Sequence, residues 1–222
     1  MRSTTKEPDR TRQLSAIVWD MDGTLIDSAD IVPDAFIATV QARSGISYTR
    51  EQIIDAYPLG PPPIMLAHLL GRPATTADLD DYHARLEAMA HRVRPYPGIA
   101  PVLLVLQQRL PMAVFTGASS RAAHLLLEVT GLLDAFTVVV AGDEIPRQKP
   151  HPDGILRACE QLGVPAQAAA YVCDAPIDLK AARRAGALSV AAGWGHLYQK
   201  TMPPAQVVLS QPTDLLYLVD AA

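Results

Sequence analysis

The chain has 222 residues, 49% of them hydrophobic and 19% charged, so it can bury a substantial core and extensive disorder is not expected. A formal net charge of −4 disfavours nucleic acid or an anionic membrane surface as the main partner. Two cysteines, Cys159 and Cys173, are too few for a disulfide framework, which favours a cytoplasmic protein.

The amino-terminal segment, residues 1–13, is polar and charged. It lacks the apolar stretch of a signal peptide, so we expect a flexible tail. No apolar run is long enough to suggest a helix that crosses a bilayer, and we expect no membrane partner.

Short apolar runs predict buried strands at residues 14–19, 112–115, 136–141, 169–173 and 188–192, with a weaker strand at 206–209. Apolar residues at helical spacing predict helices between most of these strands, at residues 101–109, 121–129, 154–162 and 179–185. This alternation predicts an α/β fold with a doubly wound, Rossmann-like parallel sheet.

The interval between the first two strands contains no good strand pattern and instead predicts helices at residues 31–42, 51–57, 64–70 and 77–91. Prolines make residues 58–63 a rigid connector, or less plausibly an extended ligand for another protein, and make residues 94–98 a stiff hinge. We therefore predict a helical insert, residues 29–94, on a core formed by residues 14–28 and 95–222.

Polar residues follow the predicted strands at the point where each strand ends. Ligands of open α/β sheets bind at the carboxyl ends of the strands, so these residues are expected to converge. They are Asp20, Asp22 and Gly23 after the first strand, Thr116, Gly117, Ala118, Ser119 and Ser120 after the second, Lys149 after the third, and Asp174 and Asp178 after the fourth.

Four of these segments, in this order, resemble the motifs of the haloacid dehalogenase-like hydrolase superfamily. They are DMDGT at residues 20–24, VFTG at 114–117, Lys149 before Pro150, and CDAPID at 173–178. The segment GWGHLYQ at 193–199 is similar, more weakly, to the phosphoglycolate phosphatase-like branch. The resemblance implies that the helical insert is a cap and that the chain hydrolyses a phosphate ester with the help of Mg²⁺.

The resemblance also implies a role for each motif residue. Asp20 would be the nucleophile that forms an aspartyl-phosphate. Asp22 would be the general acid and base, which requires a raised pKa, and Gly23 would allow the turn between them. Thr116 and Lys149, with the amides of Gly117 and Ala118, would bind the phosphate group.

Magnesium would be held, by the same resemblance, by the Asp20 side chain, the Asp22 backbone carbonyl and Asp174. Asp178 would hold a metal-bound water or orient Lys149; alternatively it is only a negative charge at a helix amino terminus. Simpler interpretations are a turn aspartate at Asp20 and a solvated surface lysine at Lys149. Ser119 and Ser120 could be helix caps alone.

The fourth motif departs from the family at two positions. Cys173 stands where members usually carry glycine, and Ala175 where they carry a small hydroxyl residue. Neither change removes a metal ligand, so slower or altered catalysis is the expected consequence. Cys173 is expected to be buried and inert, although a second nucleophile is an alternative.

A magnesium-dependent phosphatase acting on a small phosphorylated metabolite, as a monomer or homodimer, is the favoured function. Asp22 argues against a dehalogenase, which needs no acid there. The absence of lysine between Lys6 and Lys149 argues against a phosphonatase that uses a cap lysine. A sugar phosphomutase of the beta-phosphoglucomutase type and a non-catalytic regulatory module with the same fold remain alternatives.

Substrate specificity would come from the cap. Arginine matches carboxylates and phosphates well, so the cap arginines are candidates for binding a second anionic group of the substrate: Arg43, Arg50, Arg72, Arg85, Arg92 and Arg94. The histidines form no metal-ligand pair. His151 is a candidate substrate contact, and the others are expected on helices or at the surface: His68, His83, His91, His124 and His196.

Overall fold

The computed structural model describes residues 13–202 and 204–220, so the predicted flexible tail lies outside the described residues except for Gln13. The predicted fold class is confirmed: a six-stranded parallel sheet has the strand order β5–β4–β1–β6–β7–β8. In chain order the strands are β1 (Ala16–Trp19), β2 (Ile26–Asp27), β3 (Arg94–Pro95), β4 (Met112–Phe115), β5 (Val138–Val140), β6 (Ala169–Cys173), β7 (Leu188–Ala192) and β8 (Val207–Leu209).

Each predicted helix is present, with ends that differ by a few residues. Prolines explain some of these differences. A proline fits the first turn of a helix because the backbone N–H that it lacks would have no partner within the helix there. Pro62 therefore opens a helix where a rigid connector was predicted, after a short 3₁₀ turn at Tyr57–Leu59. The helices are α1 (Ile31–Ser44), α2 (Arg50–Ala56), α3 (Pro62–Leu70), α4 (Thr76–Met89), α5 (Ile99–Leu106), α6 (Ser120–Val129), α7 (Asp153–Leu162), α8 (Pro176–Ala185) and α9 (Asp214–Asp220).

A two-stranded antiparallel ribbon of β2 and β3 was not predicted. Ile26 pairs with Pro95 and Asp27 with Arg94, so the first residues of the predicted hinge are in fact a strand. Strands of two residues are too short to produce a periodic pattern, which explains why the sequence did not indicate them. The ribbon brings together the two chain segments that lead into and out of α1–α4.

The sheet is covered on both faces because successive side chains of a strand point in opposite directions. Ile17 and Trp19 of β1 lie in a buried cluster with side chains of α5 and α6. Ala16 and Val18 lie in a second cluster with side chains of α7 and α8. The largest side chains of this second cluster are Phe115 and Tyr171, which belong to the neighbouring strands.

Helices α1–α4 join the first of these clusters, through buried side chains such as Phe36, Leu66 and Leu86. α4 contacts α6, which begins just after the carboxyl end of β4. This contact places α4 beside the start of α6, near the sheet edge where the motif residues lie. No helix of the described chain is long and apolar enough to cross a membrane.

Candidate active site

The order of the six parallel strands reverses at β1, and the site lies at this reversal, where ligands of doubly wound sheets bind. Asp20 follows β1, and its backbone N–H continues the sheet by donating to the Val172 carbonyl, at 2.9 Å. The Asp20 side chain is buried. Its Oδ1 accepts a hydrogen bond from Lys149 Nζ at 2.7 Å, and its Oδ2 a long one from Thr24 Oγ1 at 3.4 Å. The geometry therefore fixes Asp20 at the centre of the site.

A tight turn follows Asp20 and reverses the chain toward β2. Gly23 has a φ of +77°, a conformation that costs a residue with a side chain about 1–2 kcal/mol. A Cβ at this position would lie 2.2 Å from Asp174 Oδ2. The turn thus requires glycine both for its backbone conformation and for the close approach of Asp174.

Asp22 emerges from this turn, where Ser28 Oγ donates to its Oδ1 at 2.5 Å. Burial raises the pKa of Asp22, and the hydrogen bond from Ser28 and the nearby His196 partly offset this rise. The raised pKa is the property expected of a group that starts a reaction protonated. Burial also raises the pKa of Asp20, against the opposing effect of Lys149.

Asp174, after β6, is completely buried and has one carboxylate oxygen without a partner. The backbone N–H of Leu197 donates to Oδ2 at 3.0 Å, whereas Oδ1 has no hydrogen-bond partner among the described residues. Burial raises the pKa of Asp174 to about 7. A buried carboxylate oxygen without a donor is destabilising, and a bound cation would supply the missing interaction.

Asp20 and Asp174 suit Mg²⁺, which needs only one or two carboxylates, better than a metal ion that requires three or more side-chain ligands. In the described part of the chain, no three His, Cys, Asp or Glu side chains cluster tightly enough to hold a metal ion. Asp20 and Asp174 interact electrostatically and could supply two carboxylates. Mg²⁺ is usually bound by one or two carboxylates and keeps several water or phosphate oxygens.

Lys149 lies between two carboxylates and two aromatic rings. Its Nζ is 2.7 Å from Asp20 Oδ1 and 2.5 Å from Asp178 Oδ1, and it stands 4.8 Å from the centre of the Phe115 ring. The two carboxylates raise the pKa of Lys149 despite its burial, so the ammonium form is maintained. This environment differs from the solvated surface considered as the simpler interpretation.

Asp178 is held in place by two donors on one oxygen. The Tyr171 hydroxyl donates to Asp178 Oδ1 at 2.8 Å, alongside the contact with Lys149. Asp178 lies in the first turn of α8 and is buried. Of the roles considered for Asp178, the contacts agree with orienting Lys149.

The loop after β4 carries Thr116 at the carboxyl end of the sheet, also buried. The Ala118 amide donates to Thr116 Oγ1 at 3.1 Å, so in this structure that amide is engaged within the loop. A Cβ at Gly117 would meet no atom within 4 Å, so the backbone there is open to a ligand. Ser119 caps α6 by accepting from the Ala122 amide, as one of the two predicted capping serines.

Two histidines lie on a helix and at the surface as expected, His83 on α4 and His196 at an exposed position, and both also interact with residues near the site. His83, on α4, is buried, and its Nε2 lies 2.8 Å from Ser119 Oγ at the start of α6. His196 acts on the pKa of Asp22, and its Nδ1 lies 3.2 Å from the Tyr96 hydroxyl. His83 belongs to no motif, and His196 lies in the weakly similar segment 193–199, which gave no indication of its interaction with Asp22.

The two departures in the fourth motif have small structural consequences. Cys173 is completely buried, and its thiol contacts the Val190 carbonyl at 3.9 Å. Burial raises the pKa of Cys173, which keeps the thiol protonated and disfavours a second nucleophile. Ala175 is the residue before α8 and provides no side-chain cap for that helix.

Comparisons with known proteins agree with this arrangement. A family model described as haloacid dehalogenase-like hydrolase matches residues 17–192. The chain is 30% identical to the N-acetylmuramic acid 6-phosphate phosphatase of Pseudomonas aeruginosa, over 95% of this chain and 96% of that protein. It is 31% identical to a phosphoglycolate phosphatase of Chromobacterium violaceum, over 86% of this chain and 90% of that protein.

A solved structure has the same fold. The crystal structure of CbbY from Rhodobacter sphaeroides in complex with phosphate superimposes with a TM-score of 0.81. The superposition covers 93% of this chain and 99% of that chain, at 24% sequence identity. At this identity the likeness establishes the fold and the order of its elements.

Proposed function

The chain belongs to the haloacid dehalogenase-like hydrolase family as one of its phosphatases, and we propose that it hydrolyses small phosphate monoesters with Mg²⁺ through an aspartyl-phosphate. One observation carries the proposal. Lys149 binds one oxygen of the buried Asp20 carboxylate, while the neighbouring Asp174 presents an oxygen that lacks a partner among the described residues. This arrangement suits a nucleophile beside a cation site.

The first half-reaction transfers the phosphoryl group to the protein. A carboxylate oxygen of Asp20 attacks phosphorus and forms a new O–P bond as the ester O–P bond breaks. Asp22, whose pKa burial raises, would donate a proton to the departing alcohol oxygen. The products are the free alcohol and phosphorylated Asp20.

The second half-reaction releases phosphate. Asp22, now ionised, removes a proton from a water molecule whose oxygen attacks phosphorus. The bond between phosphorus and the Asp20 oxygen breaks, so Asp20 is again a free carboxylate. One residue therefore serves as acid and then as base, as required for the site to return to its starting state.

Lys149 and the loop after β4 hold the phosphate group in place. The Lys149 ammonium, oriented by Asp178, offsets negative charge on Asp20 and on the transferring oxygens. Thr116 and the Gly117 backbone, where an added Cβ would meet no atom within 4 Å, would provide donors on the adjacent side. Mg²⁺ bound by Asp20, the Asp22 carbonyl and Asp174 would neutralise the approach of the phosphate to these carboxylates.

Hydrolysis of p-nitrophenyl phosphate tests the proposal directly. The wild-type protein should release phosphate with Mg²⁺, lose activity in EDTA and regain it when Mg²⁺ is restored. Asp20→Asn should lower kcat by at least about a thousandfold, because the nucleophile is removed. Asp55→Asn, an exposed acid on α2, is the matched control and should leave kcat unchanged.

Two outcomes would overturn the proposal. One is the absence of metal-dependent turnover by the wild-type protein on this ester and on a panel of phosphorylated metabolites, which favours a non-catalytic module. The other is conversion of a sugar phosphate to its isomer without release of phosphate, which favours a phosphomutase.

A further inference from the structure

The loop that follows β7, residues 193–197, packs against Asp174, and we call it the β7 loop. The Leu197 backbone N–H donates to Asp174 Oδ2 at 3.0 Å, so Oδ1 is the oxygen that remains without a hydrogen-bond partner among the described residues. A Cβ at Gly195 would clash with Asp174 Cβ and with the Gly23 carbonyl oxygen. The β7 loop therefore fixes which Asp174 oxygen is free, and its backbone lies directly against both Asp174 and the turn that contains Gly23.

The same loop is also joined to the proposed nucleophile. The indole N–H of Trp194, which is half-buried, donates to the Thr24 carbonyl at 2.9 Å. Thr24 is completely buried, and its hydroxyl donates a long hydrogen bond to Asp20 Oδ2 at 3.4 Å. Thr24 thus connects Trp194 to the Asp20 carboxylate. Both carboxylates proposed to bind Mg²⁺, Asp20 and Asp174, are therefore tied to the β7 loop.

Contacts with other parts of the fold hold the β7 loop in place. At its start, the Gly193 N–H donates to the Leu209 carbonyl of β8 at 2.8 Å. Near its end, His196 Nδ1 lies 3.2 Å from the hydroxyl of Tyr96, which directly follows β3. Trp194 between them packs against the first of the two buried clusters. A loop anchored in this way can position the groups that it contacts, because its displacement would break these contacts as well.

Resting on the proposed function, we infer that Trp194 is a positioning residue, which holds Asp20 and Asp174 together, through Thr24 and the β7 loop, in the arrangement that binds Mg²⁺. Groups that form hydrogen bonds around metal-binding carboxylates set their orientation, and loss of such groups weakens metal binding. Mg²⁺ demands near-ideal octahedral geometry, so its affinity is sensitive to small displacements of a carboxylate. The inference gives a role to the segment GWGHLYQ, which the proposed reaction steps do not use.

Calorimetric titration of Mg²⁺ into the substrate-free protein tests the inference without relying on activity. Trp194→Phe removes the indole donor and keeps an aromatic ring, so it should raise the Kd for Mg²⁺ about three- to tenfold. Tyr48→Phe is the matched control, because the half-buried Tyr48 hydroxyl also donates to a distant backbone carbonyl, that of Leu69 at 3.0 Å within the helical insert. This control should keep the wild-type Kd. The Mg²⁺ concentration for half-maximal hydrolysis of p-nitrophenyl phosphate should follow the Kd in each protein.

Gly195→Ala is a second variant, which acts on the other carboxylate. Its new methyl group would displace the Asp174 side chain from the Leu197 donor, so the Kd for Mg²⁺ should rise about tenfold or more. Gly163→Ala is its control, since a Cβ at Gly163 would meet no atom within 4 Å, and should keep the wild-type Kd. Circular dichroism at the titration temperature verifies that each variant used is folded.

The outcomes separate this inference from the proposed function. A wild-type Kd for Mg²⁺ in Trp194→Phe overturns the inference and leaves the phosphatase assignment intact. An equal rise of the Kd in Tyr48→Phe also overturns it, because the effect would then be a general consequence of a lost hydrogen bond. If the wild-type protein neither binds Mg²⁺ nor hydrolyses any ester, the proposed function fails first, and the inference with it.

Discussion

Replacing Gly23 with alanine should damage both stability and metal binding, and the structure gives the size of the loss in stability. The φ of +77° costs an alanine about 1–2 kcal/mol of folding free energy. The added Cβ would also lie 2.2 Å from Asp174 Oδ2, and relief of such crowding costs about a further 1–3 kcal/mol. The expected loss for Gly23→Ala is therefore about 2–5 kcal/mol.

Gly163→Ala separates the two causes. Gly163 ends α7 with a φ of +72°, but a Cβ there would meet no atom within 4 Å. This control variant should lose only the folding free energy that the positive φ costs an alanine, about 1–2 kcal/mol. For a chain of this size each kcal/mol lowers Tm by about 2–4 °C, so Gly163→Ala should unfold about 2–8 °C lower and Gly23→Ala about 4–20 °C lower.

Thermal unfolding without metal and Mg²⁺-dependent hydrolysis of p-nitrophenyl phosphate are the two measurements. In Gly23→Ala the Asp174 carboxylate must move away from the new methyl group, so half-maximal activity should require more Mg²⁺. Gly163→Ala should keep the Mg²⁺ dependence of the wild type. If the two variants lose the same Tm and keep the wild-type Mg²⁺ dependence, the close approach of Asp174 to residue 23 has no effect and the reasoning is refuted.

Three further predictions concern the helices near the site. Arg72 and Thr75 lower the pKa of Asp78, so the ionised Asp78 stabilises the fold above about pH 4, and this stabilisation is lost as the pH falls further. In urea unfolding, Asp78→Asn should therefore have a lower free energy of unfolding than the wild type at pH 7, and the difference should be smaller at pH 3. Ala175→Ser should raise Tm by about 1–4 °C by capping α8, and an unchanged or lower Tm would contradict this. A double-mutant cycle of His83→Ala and Ser119→Ala should give a coupling of about 0.5–1.5 kcal/mol in urea unfolding, whereas additive losses would mean that their 2.8 Å contact adds no stability.

Most of the fold could be predicted from the sequence because its signals are local. Runs such as Ala169–Cys173 are continuous and apolar, as buried parallel strands require, and the helices between them have regular apolar spacing. The two-residue strands β2 and β3 gave no such signal, since their pairing joins segments far apart in the chain. The carboxyl-terminal helix α9 was likewise not predicted.

The sequence alone determined the residues that follow the strands: Asp20, Asp22, Lys149, Asp174 and Asp178. Parallel strands bring their carboxyl ends to one edge whatever the details of packing, so motif order was enough to predict their convergence. Their roles as nucleophile, acid and metal ligands remain predictions that the geometry supports. The sequence left the role of Asp178 open between holding a metal-bound water, orienting Lys149 and placing a charge at a helix amino terminus, and its contact with Lys149 agrees with the second.

Only the tertiary structure decided which polar residues of the helical insert face the site. Arg43, Arg85 and His83 lie on helices of the insert, and sequence spacing does not distinguish a side chain that reaches the site from one that binds a neighbouring aspartate. The packing of α4 against α6 places His83 against Ser119, while ion pairs within the insert hold Arg72 and Arg85 elsewhere. Long-range packing sets these directions, because the free energy of burying one helix face depends on the surface it meets.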